Sequence, residues 1–107
     1  MARTLIERRK SPRYLCSHIV EIWHGRETTA GLLEDLSAEG AAIAFEAPLD
    51  RDELVVLVAG GLQASARVRY CTRRENDYRL GLEFTSGSRW QPHQWRPDHL
   101  FLRPSNE

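Results

Sequence analysis

Two short segments of the chain hold residues whose types and spacing could do chemistry. The first, Arg8-Arg9-Lys10-Ser11-Pro12-Arg13, places four cations within six residues. Charges of one sign this close repel, so an anion is expected to neutralise them when the segment orders. Pro12 disfavours helix at Ser11, which makes the segment an extended arm running into the next element. The second segment, Asp35-Leu36-Ser37-Ala38-Glu39-Gly40, gathers a carboxylate, a hydroxyl and a glycine. Asp and Ser either bond the local backbone or present oxygens outward, and Gly40 permits φ > 0 or close approach of a ligand. A guanidinium fork grips phosphate or a guanine edge with two bonds and stacks on a base, while a carboxylate accepts from N–H donors. Each segment alone also reads as a solvated arm or a plain Asx-turn.

The elements that must position these residues are strands. Residues 17–24 alternate with Val20 and Ile22 on one face, and His24-Gly25-Arg26 turns the chain into residues 27–36. Gly40 opens a third run that Pro48 ends. Residues 53–59 form a β-rich run closed by Gly60-Gly61. Leu62, Ala64, Ala66, Val68 and Tyr70 then share one face, with Arg67 and Arg69 on the other. A last run turns Tyr78, Leu80, Leu82 and Phe84 inward around Gly81. Six strands with no helical period between them predict an all-β fold, a small six-stranded antiparallel barrel. Beyond Phe84, prolines at 92, 97 and 104 forbid one long helix but allow helical turns near 91–95 and 98–102. These turns would dock Trp90, Trp95, Leu100 and Phe101 on the barrel. The expected division is an arm over 1–14, a barrel over 15–86 and a proline-containing tail over 87–107.

A length of 107 residues suits one domain. Fifteen basic residues balance fifteen acidic ones, which excludes a protein that coats DNA through overall basicity. The balance conceals segregation: residues 1–14 carry +4, residues 20–57 carry −7 and residues 58–79 carry +3. Such an arrangement suggests a resting state in which acids of the barrel hold the arm, an attraction that salt weakens. Fourteen of the fifteen cations are arginine, a residue that high genomic GC content also enriches. No apolar run approaches the roughly 20 residues of a membrane span and the first residues lack a signal-peptide pattern, so we expect a cytoplasmic protein without membrane insertion. Cys16 and Cys71 show no paired metal-ligand spacing and read as reduced, partly buried thiols. His93 and His99, six residues apart, suit no metal on a single helix face, and Trp90 and Trp95 read as packing anchors.

In order and spacing, the two segments resemble the PilZ domain family, bacterial receptors for cyclic di-GMP. The family signature is RxxxR in an N-terminal loop followed by [D/N]xSxxG at a turn between strands. Arg9-x-x-x-Arg13 and Asp35-x-Ser37-x-x-Gly40 match both halves, and Gly81-Leu82-Glu83-Phe84 matches a looser G-x-x-F feature of the last strand. The resemblance covers about residues 7–86. It implies cyclic di-GMP as ligand and no cofactor or metal, with Arg9 and Arg13 clamping phosphate and guanine while Asp35, Ser37 and Gly40 read a guanine edge. It also implies that the arm folds over the ligand and that a downstream protein, not DNA, receives the signal. Arg8 precedes the motif directly, and family members with arginine there tend to bind an intercalated ligand pair, which implies two molecules per chain. The tail departs from the helix that commonly follows family barrels. Two other readings stand beside this one: a PilZ-like scaffold that binds no nucleotide, and a small barrel that binds single-stranded nucleic acid through the arm and Arg67, Arg69, Arg73 and Arg74. No nucleophile with a positioned base occurs in the sequence, so no enzyme is expected.

Overall fold

Each of the six expected runs becomes a strand in the computed structural model, which describes residues 12–85 and 87–102. The strands are β1 (Arg13–His24), β2 (Glu27–Ser37), β3 (Gly40–Phe45), β4 (Leu54–Ala59), β5 (Leu62–Arg73) and β6 (Tyr78–Phe84). They pair antiparallel in the order β1-β2-β3-β6-β5-β4, and β4 pairs back onto β1 to close a six-stranded barrel. The β1–β4 pairing that closes the barrel runs over residues 21–24, and the earlier stretch of β1 is left open by β4 on that side. The alternation that predicted them also fills the barrel. Val20, Ile22, Leu62, Ala64, Ala66, Val68, Leu80, Leu82 and Phe84 all point into one core with Leu33, Leu36, Ile43 and Leu57. Alanines on β3 and β5 leave room for these larger side chains, as a narrow barrel requires.

Strict alternation fails at three places, on β5, β2 and β1. On β5 the register shifts between Val68 and Tyr70, so Arg69 and Tyr70 both turn outward. Tyr70, expected inside, is 44% exposed, because the extra residue of a bulge reverses the facing of everything beyond it. Tyr78, also expected inside, is half-buried and stands outside the core cluster. The breaks on β2 and β1 shape the site described below.

The tail caps one end of the barrel. Trp90 is 1% exposed, its indole N–H donates to the Trp95 carbonyl at 2.7 Å, and its ring meets Tyr14 edge-on at 5.5 Å. Trp95 packs edge-on to His18 at 5.0 Å and lies against Gly60, whose positive φ and lack of a side chain both suit that contact. Both tryptophans therefore act as packing anchors. Residues 91–94 close one hydrogen-bonded turn, with the Gln94 N–H on the Gln91 carbonyl at 2.9 Å. The helical turn expected near 98–102 is instead a strand end: Phe101–Leu102 form β7, which pairs with Leu15 and Tyr14 of β1. Backbone bonding to an open stretch of β1 satisfies more donors and acceptors than one isolated turn would.

Candidate functional site

The site grows out of the break on β2. Leu33 pairs with Ile43 of β3, but the next partner of Ala42 is Asp35, so Glu34 is an extra residue on β2. Leu33 and Leu36 both sit in the core, and the two carboxylates between them lie together on the outer side. β1 breaks its register at the same height, between Leu15 opposite Asp35 and His18 opposite Leu33. A regular strand would have sent one of these two acids inward, at a heavy desolvation cost.

Asp35 is the buried polar residue of the barrel wall, with a side chain 3% exposed. Arg13 covers it as a fork, Nε to Oδ1 at 3.3 Å and Nη2 to Oδ2 at 2.9 Å. This pair ties Arg13, the first residue of β1, to an acid of the barrel wall. Ser37 lies directly opposite Arg13 in the β1–β2 ladder and opposite Gly40 in the β2–β3 ladder. Its hydroxyl accepts from the Glu39 N–H at 3.3 Å and donates to the Gly40 carbonyl at 3.4 Å, which fixes the turn. A side chain on Gly40 would run into the Leu82 carbonyl oxygen of β6, so only glycine lets the turn lie this close to that strand. The turn is also pinned from outside itself: the Phe84 N–H donates to the Glu39 carbonyl at 2.8 Å and the Trp90 N–H to the Ala38 carbonyl at 3.3 Å. Arg13, Asp35, Ser37 and Gly40 thus come together, whereas Arg8 and Arg9 lie outside the described residues.

A second tier of charge backs this cluster. Arg74 donates to Asp77 (Nε–Oδ1 2.7 Å, Nη2–Oδ2 3.0 Å) and to both oxygens of Glu34, each at 3.1 Å. Arg79 Nη1 reaches Glu34 Oε1 at 2.7 Å, and its Nη2 stands 3.9 Å from Asp35 Oδ2. The hydrogen bonds to Asp77 and then to Glu34 raise the Arg74 pKa above its ordinary value, and the same contact lowers that of Asp77. Cys16 points at the Leu33 carbonyl, with Sγ 3.7 Å from the oxygen. Burial first, then the charges of Asp35 and Glu34, push its thiol up to about 12, so it is no nucleophile near neutrality. Both cysteines are free and half-buried.

Glu34 and Arg79 were not singled out from sequence as site residues, and Arg74 was named only for the single-stranded nucleic-acid reading. Arg74 and Arg79 meet Glu34 across 40 and 45 residues of chain, a relation that local patterning does not carry. The available signal was the adjacency of two acids between core leucines, which implies a bulge. On the other flank Arg69 Nη1 pairs with Glu83 Oε1 at 3.2 Å, and the Tyr70 ring lies over Gly81. Fork, carboxylate, hydroxyl and exposed aromatic ring therefore share one outer wall. These are the groups that hold a phosphate and a purine edge.

Among the described residues, no group of three or more His, Cys, Asp or Glu is placed to hold a metal ion. No helix among them is long and apolar enough to cross a membrane. A sequence comparison with curated proteins returned no match. The family model of the PilZ domain matches residues 7–94, a span that includes every strand of the barrel and both sequence segments set out above. By that match the chain belongs to the PilZ domain family.

Proposed function

We propose that the protein is a cyclic di-GMP receptor module that changes conformation on binding and signals to a partner protein in the cytoplasm. The observation that carries this reading is the forked Arg13–Asp35 pair set in register with Ser37 and Gly40. Two halves of a signature 22 residues apart meet on adjacent strands, and each supplies a group that the ligand needs. Arg13 provides a fork for a phosphodiester or for guanine O6 and N7, and Asp35 accepts from guanine N1–H and N2–H₂. Ser37 serves a phosphate or base edge, and Gly40 keeps the turn low against β6. Arg8 and Arg9 complete the cation set as the arm closes over the ligand, with Arg8 helping to neutralise a second ligand molecule.

Calorimetric titration of the full chain with cyclic di-GMP, GTP and a short single-stranded oligonucleotide tests the reading. Saturable heat is expected with cyclic di-GMP alone, at two molecules per chain. Arg13→Ala and Asp35→Ala are each expected to weaken binding by about 2–5 kcal/mol, the loss typical of a truncated buried charge contact. Oligonucleotide binding without cyclic di-GMP heat would replace the proposal with a nucleic-acid barrel, and no heat with any of the three would leave a protein-interaction scaffold.

A further inference from the structure

The barrel carries a second surface that neither signature segment uses. On the outer side of β1, Ile19, Glu21 and Trp23 follow one another at every second residue, because Val20 and Ile22 between them point into the core. β4 continues this face, with Val58 directly beside Glu21 and Val56 directly beside Trp23. Leu54 extends the row two residues before Val56 and is exposed, as Trp23 is, while Ile19 is 67% exposed. Large apolar side chains gathered in the open on one face mark a docking surface.

The chemistry of the occupant follows from Glu21. Its Oε1 accepts the Trp23 indole N–H at 3.2 Å, and among the described residues no cation pairs with it. On the bulged wall, by contrast, Glu34, Asp77 and Glu83 each meet an arginine. A partner that covered the apolar side chains would strip water from Glu21 as well, and a carboxylate so enclosed is costly unless a cation comes with the partner. A guanidinium or ammonium that reached Glu21 would also lie beside the Trp23 ring, which attracts it. A second copy of the chain brings another Glu21 to the same surface, and a nucleic acid brings further negative charge.

We infer that the outer face of β1 and β4 docks a protein segment that sets one arginine or lysine among apolar side chains, with the cation held by Glu21 and Trp23 and the apolar groups lying on Ile19, Val56 and Leu54. This surface is the partner-facing side of the proposed receptor module, and the inference rests on that reading only for its link to cyclic di-GMP.

Peptide binding to the full chain tests it. Two synthetic amphipathic peptides serve as probes, one with a single arginine at the centre of a leucine face and one with glutamate in its place. The isotope-labelled chain gives an NMR indole N–H signal for each tryptophan, and Trp23→Phe identifies that of Trp23. The arginine peptide is expected to shift this signal saturably and to bind at least about tenfold more tightly than the glutamate peptide, the margin between a paired and an unpaired buried carboxylate. Glu21→Arg reverses the preference, Leu54→Lys weakens the arginine peptide, and both variants keep the wild-type melting midpoint. Binding of neither peptide, or a preference that Glu21→Arg leaves unchanged, overturns the inference. Self-association in sedimentation that Ile19→Lys abolishes would assign the face to a second copy, and a Trp23 shift with a single-stranded oligonucleotide would assign it to nucleic acid; either result overturns the inference. Should wild type bind no cyclic di-GMP, the proposed function fails while the peptide titration still decides the role of this surface.

Discussion

The two walls of this barrel are built by different rules. Where β1 meets β4 and β4 meets β5, the ladders run without a register shift, and side chains alternate cleanly between core and solvent. The outer residues there include exposed apolar side chains, with Trp23 39% and Leu54 62% exposed. Where β2 meets β3 and β5 meets β6, each ladder carries a bulge, and each bulge turns two consecutive residues outward. Glu34 with Asp35, and Arg69 with Tyr70, arise this way. A regular strand spaces its outward groups two residues apart, so it cannot set two chemical groups side by side from adjacent positions. The bulged wall can, and the charged network belongs to it. The charged cluster is concentrated where the ladder is imperfect.

That contrast can be broken most severely at Gly40. Gly40→Ala drives a methyl group into the Leu82 carbonyl and must lift the motif turn off β6. A loss of roughly 2–4 kcal/mol is expected in urea unfolding, in the range of strain at a closely packed backbone site, together with loss of cyclic di-GMP binding. A stable Gly40→Ala protein would mean that the turn is not held by its approach to β6.

A smaller effect is expected at Cys16, which reports the negative charge gathered behind the bulge. Its thiol is raised from 9.0 to about 12, so the folded chain resists the ionisation that the unfolded chain undergoes freely. The associated stability is intact below pH 9 and drains away as the pH rises from 9 toward 12. Cys16→Ala removes that portion of the alkaline slope in thermal melts taken across this range. An unchanged slope would mean that neither burial nor the charges of Asp35 and Glu34 hold the thiol protonated.

The smallest effect belongs to the regular wall. Leu54→Lys exchanges an exposed side chain that sits opposite Arg67 in an unbroken ladder. Stability should stay within about 0.5 kcal/mol of wild type, and cyclic di-GMP affinity should not move. A marked loss of affinity would show that the two walls are coupled more tightly than their ladders suggest.

The same contrast separates what could be read in the residues from what could not. Period-two alternation located β1, β5 and β6, turn residues and a β-rich run located β2, β3 and β4, and the inward faces of β1 and β5 as far as Val68 were correctly assigned. Alternation is a local property, so it failed where pairing with another strand inserts an extra residue, as at Tyr70. Arg13, Asp35, Ser37 and Gly40 were legible because each lies in a compact motif. Arg79 was not, since it meets Glu34, 45 residues away, only once β2, β3 and β6 are aligned. The tail strand was missed for a related reason. Phe101 and Leu102 adopt an extended form because β1 offers them open backbone groups, not because their own sequence demands it.

β7 has a consequence for affinity. Its two residues pair with Tyr14 and Leu15 on one side of β1 while β2 pairs with Arg13, Tyr14 and Leu15 on the other. The backbone beside Arg13 is therefore bracketed before any ligand arrives. Ordering a backbone residue costs about 1–2 kcal/mol, and association is weakened by whatever ordering it must complete. For Arg13 that expense falls on folding and not on binding. A ligand meeting this surface has only to redirect a guanidinium whose anchor is already in place, and a partner that peeled β7 from β1 would lower ligand affinity without touching the site.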